Sequence, residues 1–252
     1  MIIPATFRLA ARKLIKRNEI YMEEQMRKGV LAIVVGALVL LASIPSYADG
    51  FFNMFGHSEK GSGDMKTVEL NLPPFTEIRS SGSFDIHVKV GGEQKVTMTF
   101  DDNLIDNIET EVTGHTLHIG TKESFSSERG CHFEITVPSL ERIKLSGSGD
   151  IEVENLDEDH FEYSVSGSGS LRAAGKVSDL DVRVAGSGDV DTKDLVAENA
   201  SVRISGSGDV RVRVTDSFDG SISGSGSIYY YGNPAHASTS ISGSGSIRKR
   251  AD

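Results

Sequence analysis

The sequence predicts an all-β chain wound as a parallel β-helix, with coils of about 19–20 residues and Gly-Ser-Gly corners. Three observations predict it. A six-residue word, Ser146-Gly147-Ser148-Gly149-Asp150-Ile151, returns as SGSGSL at 166, AGSGDV at 185, SGSGDV at 205, SGSGSI at 223 and SGSGSI at 242, at intervals of 20, 19, 20, 18 and 19. A near-constant period of this length marks one supersecondary unit stacked on copies of itself. The sixth position of the word is always aliphatic (Ile151, Leu171, Val190, Val210, Ile228, Ile247), and so is the residue before it (Leu145, Val165, Val184, Ile204, Ile222, Ile241). Further apolar residues at Val153, Val182, Val202 and Val212 extend both runs as period-two alternation, the pattern of a strand with one buried face. Twenty residues cannot bury such a face alone, and no helical segment is available to cover it, so the coils must cover one another.

Composition sets the limits. Gly and Pro together are 33 of 252 residues, about 13%, well below the ~25–30% of low-complexity disorder. The formal charge is −10, with 26 basic against 36 acidic residues, which disfavours a nucleic-acid partner because phosphate requires a basic face. A single Cys, Cys131, rules out an intramolecular disulfide, and burial is the expected state of its thiol.

Along the chain, Val30–Ile44 is a fifteen-residue run without charge, preceded by Arg27-Lys28 and followed by small residues at Ser46 and Ala48. This predicts a signal peptide over 26–48, cleaved before Asp49, since the run falls short of the ~20 residues a spanning helix needs. Met22-Glu23-Glu24-Gln25 can be encoded with a purine-rich ribosome-binding match ahead of Met26, so residues 1–25 read as an over-extended gene model. Removing residues 1–48 leaves 19 basic against 33 acidic residues, a net −14 over 204. Residues 49–64, with the apolar run Phe51-Phe52-Asn53-Met54-Phe55, read as a flexible segment.

A single β-helix domain follows over 65–250, with irregular coils over 65–145 and regular ones over 146–250. The first part alternates in Phe84–Val88, Val96–Phe100, Thr116–Ile119 and Phe133–Val137, with a surface loop at 122–130. A divergent copy of the word, Ser81-Gly82-Ser83-Phe84-Asp85-Ile86, lies 65 residues ahead of the first regular one. Each regular turn reads as strand, corner, strand, loop. Gly suits the corner because it tolerates positive φ and carries no side chain to meet the turns above and below.

Parallel stacking predicts outward ladders. One runs Glu152, Arg172, Asp191, Arg211, Tyr229, Arg248; a second runs Glu154, Ala174, Lys193, Arg213, Tyr231, Arg250. Tyr229 and Tyr231 face outward among Arg211, Arg213, Arg248 and Arg250, the best interaction patch in the chain, with plain packing between coils as the competing reading. Lys249 falls in an inward register, which ends the stack and discourages edge association.

Chemistry is harder to find. The corner serines repeat without one being distinguished, so a serine nucleophile has no support. Asp189 and Asp209, on neighbouring corners, resemble part of a calcium β-roll, but that motif repeats every nine residues. The simpler reading is a turn in which they accept corner amides. His115 and His118, three apart on a strand, face opposite sides, and Asp157-Glu158-Asp159-His160 reads as a solvated acidic loop tip.

From Pro74-Phe75-Thr76-Glu77-Ile78 through the "DDNL" of Asp101–Leu104, the "TLHI" strand and the "VPSLERIKLSGSGDI" junction to the Gly-Ser-Gly corners, roughly residues 65–248, the chain resembles the auto-transporter adhesin head GIN domain family. The resemblance implies an exported bacterial β-helix, right-handed, and supplies no catalytic residues. The expected function is therefore a non-enzymatic rigid surface, in the periplasm or at the cell exterior, for adhesion or envelope binding. Its partner would be a glycan or a protein, with no cofactor and no transmembrane anchor in the mature chain. The oligomeric state stays open. The alternatives are a carbohydrate-active enzyme using the surface carboxylates Asp189 and Asp209, and a module stiffened by calcium at the same pair.

Overall fold

The structure, a computed structural model, describes residues 58–251. The expectations for residues 1–25, for the export segment at 26–48 and for the apolar run at 51–55 lie outside the described residues. Among the described residues no helix is long and apolar enough to cross a membrane.

The strands in chain order are β1 (Glu59–Lys60), β2 (Met65–Leu70), β3 (Glu77–Gly82), β4 (Phe84–Val90), β5 (Lys95–Asp101), β6 (Ile108–Thr113), β7 (Thr116–Thr121), β8 (Phe125–Ser126), β9 (Cys131–Val137) and β10 (Arg142–Gly147). Then come four long strands, β11 (Ile151–Val165), β12 (Leu171–Val184), β13 (Val190–Ile204) and β14 (Asp209–Gly224), and the shorter β15 (Ser227–Tyr231), β16 (His236–Gly243) and β17 (Ser246–Lys249). Each long strand runs from one corner to the next. Its first leg pairs in parallel with the first legs above and below, and its last leg does the same, so the chain winds as a parallel β-solenoid.

The expected loop is absent from the coils of β11 to β14 and remains in the last one, between Tyr231 and His236. Register shifts at Val153/Leu156, Arg172/Ala174 and Thr192/Val196 bend the strand without interrupting pairing, as β-bulges do. At the first bend Asn155 takes φ 57°, a left-handed conformation that Asn tolerates better than most residues. Asp157–His160 therefore lies inside β11 and is no loop tip: Asp157 pairs with Lys176 at 3.2 Å, and Glu158 Oε1 accepts the Leu140 N–H at 2.9 Å.

The divergent early word stacks directly beneath the first regular one, Gly147 on Gly82 and Ile151 on Ile86. The residues between these two corners leave the winding and close its lower end. β9 extends the first-leg sheet in parallel with β4, and β5 and β2 then continue it antiparallel. β7 extends the last-leg sheet in parallel with β3, and the hairpin to β6 closes it. The irregular spacing of 65–145 has this cause. Residues ahead of position 65 join the sheet-forming part as well: β1 pairs with β8, Gly61 donates to Ser126 O, and Gly63 donates to the buried carboxylate of Asp101 at 2.6 Å. Phe125, in the expected surface loop, packs edge-on against Phe100 with ring centroids 5.1 Å apart.

Inside, the aliphatic columns stack in register. Ile86, Ile151, Leu171, Val190, Val210 and Ile228 are each at most 2% exposed, as are Leu145, Val165, Val184, Ile204 and Ile222. Cys131 is buried and free, and burial pushes its thiol up to about 12, with Asp85 adding to the shift.

At the corner, the two glycine columns are a steric requirement. A Cβ on Gly167, Gly186, Gly206 or Gly224 would overlap the carbonyl oxygen of the glycine one coil below. That same oxygen accepts a serine N–H from the coil above, as in Ser187 to Gly167 O and Ser207 to Gly186 O, both 2.9 Å. Gly147, Gly186 and Gly206 are outside the positive-φ region, so close approach, rather than φ, excludes a side chain there.

Candidate functional site

The first legs of the coils present one outward ladder along the whole solenoid. Register places Glu134, His87, Glu152, Arg172, Asp191, Arg211, Tyr229 and Arg248 one above another. Its regular part is the first ladder expected from the sequence. The second one breaks: the bulges set Ala174 against Asp194 and Val196 against Arg213, so Lys193 and Arg213 do not face as side chains. Instead the Arg213 Nε donates to the Lys193 carbonyl at 2.9 Å.

At the upper end, the ring of Tyr229 lies between two guanidinium groups, with the Arg250 Cζ 4.9 Å and the Arg211 Cζ 5.8 Å from its centroid. Both distances are within cation–π range. Tyr231 sits in register with Arg213 and Arg248 with Tyr229. Tyr230 takes the inner side, stacked on Phe218 with centroids 4.6 Å apart and planes at 23°. The structure thus gathers Arg211, Tyr229, Arg248 and Arg250 on one face, with Tyr231 and Arg213 one step along it.

At the lower end the ladder enters a shallow groove of about 220 Å³ lined by Asp85, His87, His132, Glu134, Glu152 and Arg172, among others. His87 Nδ1 is 2.8 Å from Glu134 Oε2, and its Nε2 is 3.6 Å from Glu154 Oε1. The hydrogen bond to Glu134 raises the His87 pKa above its usual 6.5, against a smaller opposing effect of burial, and the charges of Glu134, Glu154 and Glu152 add to the rise. His132 Nδ1 lies 3.4 Å from Asp85 Oδ2, while its Nε2 donates to the Arg129 carbonyl at 2.8 Å. Sequence reasoning missed this cluster. The outward alternations Asp85-x-His87 and His132-x-Glu134 were visible, but nothing local shows that strands more than forty residues apart lie side by side.

Asp189 and Asp209 each accept a backbone amide of the next coil. Asp189 Oδ1 accepts the N–H of Asp209 at 2.9 Å, and Asp209 Oδ1 accepts the N–H of Ser227 at 3.0 Å, each fastening a corner to the next coil. This role differs slightly from a local turn, because the acceptor serves the neighbouring coil. No group of three or more His, Cys, Asp or Glu placed to hold a metal occurs among the described residues. The last legs carry another zigzag of charge, Glu77–Arg142–Glu162–Arg183, with Arg142 bonded to Glu77 at 2.6 Å and to Glu162 at 2.9 Å. It continues through Asp181 and Arg203 to Asp219 at 3.5–3.9 Å.

Several solved structures share this fold. A "putative adhesin" from Bacteroides fragilis NCTC 9343 is 24% identical with a TM-score of 0.65, covering 76% of this chain and 99% of its own. A "putative adhesin" from Parabacteroides merdae ATCC 43184 is 19% identical with a TM-score of 0.54 over 76% and 98%. A "putative lipid binding protein" from Parabacteroides distasonis ATCC 8503 is 24% identical with a TM-score of 0.53 over 77% and 100%. No curated protein matches the chain. The family described as "Putative auto-transporter adhesin, head GIN domain" matches residues 74–234, most of the solenoid and its closed end, and the chain belongs to that family.

Proposed function

We propose that the protein is an exported, non-enzymatic binding module whose solenoid holds a preformed cationic and aromatic surface against an anionic ligand of the cell envelope or its surroundings. The observation that carries this reading is Tyr229 held between Arg211 and Arg250. Arg and Tyr are the residue types that contribute most per contact at interfaces. Here Arg211 and Tyr229 stand on paired strands, and Arg250, directly after β17, is fastened by its N–H to the Tyr230 carbonyl at 2.9 Å, so little conformational freedom is lost when a ligand docks. The adhesin names of the family and of two structural neighbours agree with it. Asp189 and Asp209, the carboxylates a glycoside-cleaving alternative would need, already accept backbone amides, and neither calcium nor another cofactor has a part in this reading.

The test is binding of the full chain to immobilised acidic glycans and to anionic vesicles, beside Tyr229→Ala and Arg250→Ala. The reading expects retention that falls about tenfold or more in either variant while the melting temperature holds. Equal binding by the variants, or turnover of a glycan that Asp189→Ala abolishes, overturns it. A calcium-raised melting temperature, reversed by chelator, would favour the stiffened module instead.

A further inference from the structure

The two ends of the solenoid are finished differently. At the lower end both sheets finish on antiparallel strands that carry charge, Lys66 and Glu69 on β2 and Glu109 and Glu111 on β6. At the upper end, among the described residues, β16 pairs only with β14 and β17 only with β15, so the outer edge of each has N–H and C=O groups that no described strand matches. The edge of β17 is guarded by charge. Arg248-Lys249-Arg250 runs along it, and Lys249, in register over the inward-facing Tyr230, bonds Asn233 Oδ1 through its Nζ at 2.8 Å. Such charges are a common defence against strand addition.

β16 has no such guard. Its eight residues, His236-Ala237-Ser238-Thr239-Ser240-Ile241-Ser242-Gly243, are all exposed and contain no Lys, Arg, Asp, Glu or Pro. Its pairing with β14 runs unbroken from Ser217/His236 to Gly224/Gly243, without a bulge. Ile241 continues the inner column directly over Ile222, yet it is 46% exposed where Ile222 is 2%. Ala237 and Thr239 sit over Phe218 and Gly220 in the same inner register.

We propose that β16 accepts an extended polypeptide strand that lies down as one more coil. The added strand pairs its backbone with β16, sets small or aliphatic residues over Ala237, Thr239 and Ile241, turns through glycine at the corner, and places carboxylates over Arg248 and Arg250. Strand addition of this kind draws affinity from main-chain hydrogen bonds and specificity from alternate side chains. Charge selects the occupant. A second copy meeting this one upper end to upper end would bring Arg248, Lys249 and Arg250 against themselves, and like charges on facing strands repel. An acidic strand meets the cations favourably. The proposal shares Arg248 and Arg250 with the Tyr229 face but rests on the pairing edge of β16, and it stands even if that face binds no glycan.

The chain's own coil from Arg142 to Glu154 supplies a probe that sets Ile143 over Thr239 and carries the corner glycines and both carboxylates. Laid on in the solenoid's register, it places Leu145 over Ile241, Ile151 over Ile247, Glu152 over Arg248 and Glu154 over Arg250. A fluorescent peptide of this sequence, and a partner peptide with Glu152→Lys and Glu154→Lys, are titrated with the full chain and read by anisotropy. The acidic peptide should bind, and the lysine peptide at least about tenfold more weakly. The Arg248→Glu/Arg250→Glu chain should reverse that order. Ile241→Lys, which brings a guard into β16 at an exposed position, should weaken the acidic peptide about tenfold while leaving Tyr229-dependent binding unchanged. Thr239→Lys serves the same purpose if Ile241→Lys melts early. Absence of binding by the acidic peptide up to about 1 mM, or binding indifferent to Ile241→Lys and Thr239→Lys, overturns the proposal. So does a dimer of the full chain in sedimentation that Ile241→Lys dissociates, because a second copy would then hold the edge.

Discussion

At Gly206 the whole corner is visible in one residue. Its Cα approaches the Gly186 carbonyl so closely that no side chain fits, and that carbonyl is also the acceptor for Ser207. Gly206→Ala should therefore lower the unfolding free energy by about 3 kcal/mol, since neither backbone can yield without breaking its neighbour's hydrogen bonds. Ser205→Ala, one residue away and exposed, should change it by no more than about 0.5 kcal/mol. Urea unfolding of the pair checks the contrast. Buried hydroxyls give the opposite sign. The Tyr163 Oη and the Ser80 Oγ are buried without hydrogen-bond partners, and burial pushes the Tyr163 pKa up. Tyr163→Phe removes an unmatched polar atom and keeps the ring, so it should leave stability unchanged or raise it by about 1 kcal/mol in the same measurement.

At the scale of strands, the groove joins β9, β4 and β11 through one imidazole. His87 is raised above its usual value of 6.5 by the Glu134 hydrogen bond and the nearby carboxylates. The charged form is thus favoured in the folded state. Its contribution is complete below pH 6.5 and disappears as the pH rises through the higher folded value. The melting temperature should therefore fall more between pH 6 and pH 8 for the wild type than for His87→Gln. Equal falls would show that His87 does not tie these strands together. The same scale explains what the sequence made legible. The corners, inner columns and Glu152–Arg248 ladder are spaced by a fixed period, so identical environments recur at countable intervals. The ladder through Lys193 and Arg213 failed because bulges add residues to one strand and not to its neighbour, and a bulge leaves no periodic trace. His87 beside Glu134, and Arg142 between Glu77 and Glu162, depend on pairings across insertions, which local pattern does not encode.

For the molecule as a whole, stacking makes the coil the unit of change. Removing residues 185–204 deletes one period and joins Val184 to Ser205, so Gly206 comes to rest on Gly167 and Val210 on Leu171. The shortened chain should still unfold in a single cooperative transition. It should also acquire a salt dependence, because the deletion takes Asp191 from between Arg172 and Arg211 and sets the two cations in contact. Melting in low and high salt would show stabilisation by salt in the deletion that the full chain lacks. A ten-residue deletion at the same place should not fold, since it moves every inner residue off its column.

The closed lower end and the unguarded upper one also give the molecule a mechanical polarity. Every hydrogen bond between coils is aligned with the axis, so a load applied between the two ends is carried by one layer after another. The weakest layer is the last, where Ile241 and β16 have neighbours on one side only. Under tension the chain should peel from that end a layer at a time, with extension growing in increments of roughly 60 Å for each coil of about nineteen residues. An optical trap would record this as a staircase, and a single rip spanning the whole solenoid would show that the layers yield together.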